Sequence, residues 1–133
     1  MNILAPYLAA LVSSLVIDGV WLTTMGSRFY RPQIGHLMAS SPSLLAGALF
    51  YLTYPIAIAI LVVSPALKSH QSLGQVFLMG ALLGFAAYGA YDFTNQATLK
   101  DWPVIVTVVD LIWGTVLTGT VSVIAVSAVK ALA

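Results

Sequence analysis

Four long apolar runs divide the chain, at residues 3–26, 44–64, 73–95 and 104–130. Each offers the roughly 20 residues that a membrane-spanning helix needs. Strands of a membrane barrel would be shorter and would alternate in polarity. Short polar segments at 27–43, 65–72 and 96–103 separate the runs. Prolines punctuate them: Pro32 and Pro42 flank the first connection, Pro65 is expected to end the second helix, and Pro103 opens the fourth, a position that tolerates proline. Connections this short pack neighbouring helices antiparallel. The pattern predicts an all-α integral membrane protein, an antiparallel bundle of four transmembrane helices in a single domain over residues 1–133. The first run is read as a span and not as a signal peptide. It has no basic stretch ahead of it, it contains Asp18, and no convincing cleavage site follows.

Composition agrees. Of 133 residues, 60% are hydrophobic and 7% charged, where a soluble domain carries about 25% charged residues. A mean hydropathy of +0.99 leaves no means of covering a water-facing surface. A net charge of +1 gives no basic field for nucleic acid. The absence of cysteine excludes disulfides, a thiolate nucleophile and cysteine metal sites. Orientation is weakly encoded. Arg28, Arg31 and Lys100 lie on the side of the first and third connections, against Lys68 and Lys130 on the other. By the positive-inside rule this margin of one side chain places the first and third connections in the cytoplasm.

Placement of the acids changes the picture most. There is no glutamate, and of four aspartates only Asp101 lies in a connection; Asp18, Asp92 and Asp110 fall inside apolar runs. Ionisable groups in a span are costly and face a bundle interior or a wet cavity. With alternating helix directions, all three lie towards one membrane face. At 1.5 Å per residue, Asp92 is expected ~5 Å, Asp110 ~9 Å and Asp18 ~12 Å from that end. Tyr51, Thr53 and Tyr54 belong to the same half, whereas the opposite half holds only small polar groups such as Ser13 and Ser122. Residues three or four apart share a helix face. That spacing groups Ser14, Asp18 and Trp21; Gly84, Tyr88, Tyr91, Asp92 and Asn95; and Thr107, Asp110, Trp113 and Gly114. If the three stripes face inward, they form a one-sided pocket of carboxylates, phenols and an amide. Arg28, Arg31, His36 and Lys100 would stand at its mouth.

Plainer roles compete for several of these residues. Trp21, Trp102, Trp113, Tyr30 and Tyr54 suit the aromatic belt at headgroup level. Arg28 and Arg31 suit interface anchors, or a site for lipid phosphate. Gly80 and Gly84 form a G-x-x-x-G that suits close helix packing. The repeated Asp18-Gly-Val-Trp21 and Asp110-Leu-Ile-Trp113 is better read as a shared polar interface than as an internal duplication. His36 and His70 fall on opposite faces, so no metal pair is expected, and no cofactor motif is present. A paired-aspartate protease lacks its glycine-flanked second aspartate at Asp110.

The stretch Tyr91-Asp92-Phe93-Thr94-Asn95-Gln96-Ala97-Thr98-Leu99-Lys100-Asp101-Trp102-Pro103, followed by Asp110-Leu111-Ile112-Trp113-Gly114, resembles the signature of a bacterial predicted-membrane-protein family, the domain-of-unknown-function 2177 family. The resemblance runs over the whole chain and includes Asp18-Gly-Val-Trp21 and Phe29-Tyr30-Arg31-Pro32. It implies a four-helix membrane fold and a bacterial inner membrane. It carries no settled activity and no catalytic assignment. Genes of such proteins can lie near those for enzymes that modify membrane fatty acids, including cyclopropane-synthase-like enzymes, which points towards lipid handling.

Three functions follow as expectations. The first is a protein that binds or modifies a membrane lipid or a small amphipathic ligand. Asp18, Asp92 and Asp110 would be its acid–base groups, and Tyr51, Tyr54, Tyr88, Tyr91, Asn95, Trp21, Trp113, Arg28 and Arg31 its ligand contacts. The second is a proton-coupled transporter working as a homodimer of opposed protomers, which would supply a polar path through the dry half. The third is a non-catalytic assembly subunit.

Overall fold

A computed structural model describes residues 2–133. It holds four helical spans and, among the described residues, no strand. They are α1 (Leu4–Leu37), α2 (Leu44–Lys68), α3 (Leu73–Thr98) and α4 (Val104–Leu132). Hydrophobic side chains cover their outer faces, among them Val12, Val16 and Val20 of α1 and Leu78 and Leu82 of α3. This is the surface that lipid requires, and closed helical hydrogen bonding is what the bilayer demands of the backbone. The four-helix membrane architecture expected from the pattern is therefore present.

Helix ends differ from the expected ones at two prolines. The first helix does not stop at Gly26, and Pro65 does not end the second. In each case a wide π-turn precedes the proline: Gly26–Tyr30 before Pro32, and Ala59–Val63 before Pro65. The Arg31 N–H closes on the Gly26 carbonyl and the Ser64 N–H on that of Ala59. A proline ring collides with the carbonyl four residues back in a regular helix. A π-turn widens that stretch and keeps its carbonyls bonded, as spans require around proline. The first connection shrinks accordingly to residues 38–43, and Arg28 and Arg31 ride on helix instead of loop. Pro55 is also held inside α2, where the Tyr7 hydroxyl of α1 donates to the nearby Leu52 carbonyl at 2.8 Å. Side-chain caps open α2 and α3. Ser43 accepts from the Ala46 N–H, and Ser72 and Gln75 form a reciprocal capping box.

Helix α4 is the axis of the bundle. Half of its most apolar stretch is buried, against 17% for α1, 28% for α2 and 22% for α3, and it touches all three. Its closest neighbour is α3. Gly80 and Gly84 lie against Ser122 and Thr118, where a Cβ on Gly84 would come within 2.8 Å of the Thr118 Cβ. The G-x-x-x-G thus serves close packing, the main attraction between helices in lipid. The α2 π-turn plugs the centre, with Ala59 buried and Val62 and Val63 packed with Ala10, Val76, Val121 and Val126. This half of the bundle is dry and filled. The polar residues gather towards the other end.

Candidate functional site

Towards that end the helices separate around a partly open cavity of about 520 Å³. All four contribute to its wall: Asp18, Trp21, Leu22, Gly26, Tyr30 and Ile34 from α1, Phe50 and Tyr51 from α2, Ala87, Tyr88 and Tyr91 from α3, and Val106, Asp110 and Trp113 from α4, with Met38 at the rim. The lining is mostly hydrocarbon and aromatic ring.

Asp18 and Asp110 are the carboxyl groups of this wall, at 5% and 8% exposure. Each is held by aromatic donors. Asp18 accepts the Tyr51 hydroxyl on Oδ2 at 2.5 Å and the Trp113 indole N–H on Oδ1 at 2.9 Å. Asp110 accepts the Tyr30 hydroxyl on Oδ1 at 2.7 Å, and the Tyr30 oxygen in turn receives the Trp21 indole N–H at 3.0 Å. The two indoles stack, with centroids 4.1 Å apart and planes 6° from parallel. The Asp-x-x-Trp segments of α1 and α4 are thereby crossed. The Trp of α4 serves the Asp of α1 directly, and the Trp of α1 serves the Asp of α4 through Tyr30.

Tyr88 completes the wall between the acids. Its ring lies over Gly114, where a Cβ would run into the ring itself. The glycine is needed for close approach, and it allows a phenol to lie flat against α4. Phe50 stacks on Tyr54, and Tyr54 meets Tyr88 edge-on.

The residues marked by spacing, depth and position divide on folding. Trp21, Tyr51, Tyr88, Tyr91, Trp113, Asp18 and Asp110 line the cavity. Tyr54 instead ties α2 to α4 through Thr118, at 2.7 Å. Asn95 is half-buried and apart from the wall, and Arg28 and Arg31 are exposed and contribute nothing to it. Asp92 is fully buried behind the cavity, between α3 and α4, with both carboxyl oxygens lacking a protein donor. The Asp110 carboxyl adjoins it.

Tyr30 is the residue that sequence reasoning missed. The pattern put it in a connection, as a belt aromatic. On a regular helix at 3.6 residues per turn, Trp21 and Tyr30 would stand about 180° apart and could not meet. The π-turn redirects the chain so that they do. The available signal was Pro32, since a proline within a span can be carried by a kink or a widened turn instead of ending the helix.

A second polar group locks the α3–α4 turn. The Trp102 indole N–H donates to Thr107 Oγ1 at 3.0 Å, Thr107 Oγ1 donates to Gln96 Oε1 at 2.8 Å, and Gln96 Nε2 donates to the Trp102 carbonyl at 2.8 Å. Asp101 takes a positive φ of 62° in this turn, a conformation that Asp tolerates better than most residues. Gln96 and Trp102 therefore close the hairpin and hold Asp110 in depth.

Among the described residues, no group of three or more metal-ligating side chains comes together. What the cavity can do chemically is bind a molecule with a polar head against Asp18 and Asp110 and an apolar body along the rings, or move a proton at either carboxyl. No curated protein and no solved structure matches the chain. The model of the DUF2177 family, described as a predicted membrane protein, matches residues 3–127, and the chain belongs to that family of integral membrane proteins.

Proposed function

We propose that this is a lipid-handling protein of a bacterial inner membrane that binds, or binds and modifies, a lipid or small amphipathic molecule in the cavity between its helices. The observation that carries the reading is the cavity wall, where two buried carboxylates with dedicated tyrosine and tryptophan donors stand among apolar side chains. Ligand sites have this composition: mostly apolar lining with a few placed polar groups. A carboxylate used only to join helices would gain little, since such bonds average about 0.6 kcal/mol in a membrane bundle.

A path to both membrane faces would favour transport. The filled half around Ala10, Val63, Val76 and Val126 favours a site served from one leaflet. The test is comparative lipid mass spectrometry of membranes from cells lacking the protein, cells with it, and cells with Asp110→Asn. A lipid species that changes with the native protein and reverts with Asp110→Asn is the expected result. Identical lipid profiles, together with no lipid retained by the purified native protein, would reject the reading.

A further inference from the structure

The buried acids have no buried cation to face. Among the described residues every lysine, arginine and histidine side chain is exposed, from Arg28, Arg31 and His36 to Lys68, His70, Lys100 and Lys130. Asp18 and Asp110 nonetheless stand at 5% and 8% exposure on a cavity wall. Ionisable groups within a span pair with one another or mark a ligand path. A carboxyl in apolar surroundings is neutralised by a proton or by a positive charge brought to it. The indole N–H of Trp113 can only donate, so the Asp18 oxygen it meets at 2.9 Å acts as an acceptor, and the hydroxyl of Tyr51 takes the other oxygen.

The rest of the wall selects the kind of positive charge. Trp21, Trp113, Tyr30, Tyr51 and Tyr88 surround the acids with aromatic rings. Such rings attract weakly hydrated organic cations, and cages of them recognise quaternary ammonium groups. A small metal ion would instead need several more oxygen ligands. Resting on the cavity reading above, we propose that the ligand is an amphipathic organic cation, with an ammonium head between Asp18 and Asp110 and an apolar body along Leu22, Phe50 and Val106. Its head comes either from a membrane lipid or from a free long-chain amine, which share this chemistry.

The test uses the purified full chain in neutral maltoside micelles, titrated with decyltrimethylammonium and, separately, with decanol. Binding is followed by tryptophan fluorescence, since Trp21 and Trp113 form the wall, and by calorimetry. The expected result is saturable binding of the ammonium at least about tenfold tighter than of decanol, with Asp110→Asn lowering the ammonium affinity about tenfold and the decanol affinity by clearly less. Retained decanol binding certifies the fold of the variant. If the variant binds neither, the native comparison alone decides. Equal affinity of the native protein for both molecules overturns the cation while the cavity reading stands. Binding of neither overturns both. Phosphatidylethanolamine added to the same micelles assigns the source: displacement of the ammonium supports a lipid head, and no displacement supports a free amine.

Discussion

At the residue scale, the site depends on which atoms the two carboxylates are given to hold. Asp18 takes donors from α2 and α4 on separate oxygens, so Tyr51 and Trp113 act on one acceptor and should not be independent. Tyr51→Phe is expected to cost about 1 kcal/mol, within the range for interhelical hydrogen bonds in membranes. A double-mutant cycle with Trp113→Phe should show a coupling of about 0.5 kcal/mol or more. Unfolding in mixed micelles measures both, and strict additivity would show that the donors do not share Asp18. Tyr30→Phe cuts the relay between Trp21 and Asp110. It should weaken ligand retention more than it lowers stability, because Asp110 loses the donor that holds it in place on the cavity wall while the core stays closed; lipid co-purification and unfolding in the same micelles measure the two.

At the element scale, the small residues of α3 and α4 set how closely these helices approach. Gly84→Ala forces a Cβ against Thr118 and should destabilise by about 1–3 kcal/mol, the usual range for overpacking. Gly47→Ala on α2 meets nothing within 4 Å. It should be neutral or stabilising by up to about 1 kcal/mol through helix propensity. Thermal unfolding of the pair in one detergent checks the contrast, and equal losses would contradict the packing. The G-x-x-x-G was legible at this scale because small-residue spacing acts locally on one face. The π-turns were not. A proline reads as a stop in one dimension, and whether the turn before it widens to carry it depends on what the neighbouring helices can pack against. Val62 and Val63 supply that packing in α2.

At the scale of the whole molecule, four spans with connections at 38–43, 69–72 and 99–103 require the first and third connections to share a membrane face. The chain has no cysteine, so Ser41→Cys, His70→Cys and Lys100→Cys each create a unique label site. Impermeant thiol labelling should mark Ser41→Cys and Lys100→Cys from one side and His70→Cys from the other. Labelling of all three from one side would break the four-span topology. With this topology, the acidic cavity belongs to the half nearer the first and third connections and the packed core to the other.

The sequence by itself determined the solvent, the number of spans and the half of the bundle in which polar groups gather. These follow from run length and from depth along each helix, both one-dimensional quantities. Spacing also marked Asp18, Asp110, Trp21, Trp113, Tyr88 and Tyr91, and depth marked Tyr51; all of these line the cavity. Only tertiary structure decided that Asp92, on the same stripe as Tyr88, turns into the α3–α4 seam while its neighbour Tyr91 lines the cavity. Neighbouring positions on a helix differ by about 100°, and the position of α4 determines which of them meets a wall and which a void. The same holds for Tyr30. Its partner Asp110 is 80 residues away, and only the widened turn before Pro32 brings the two together.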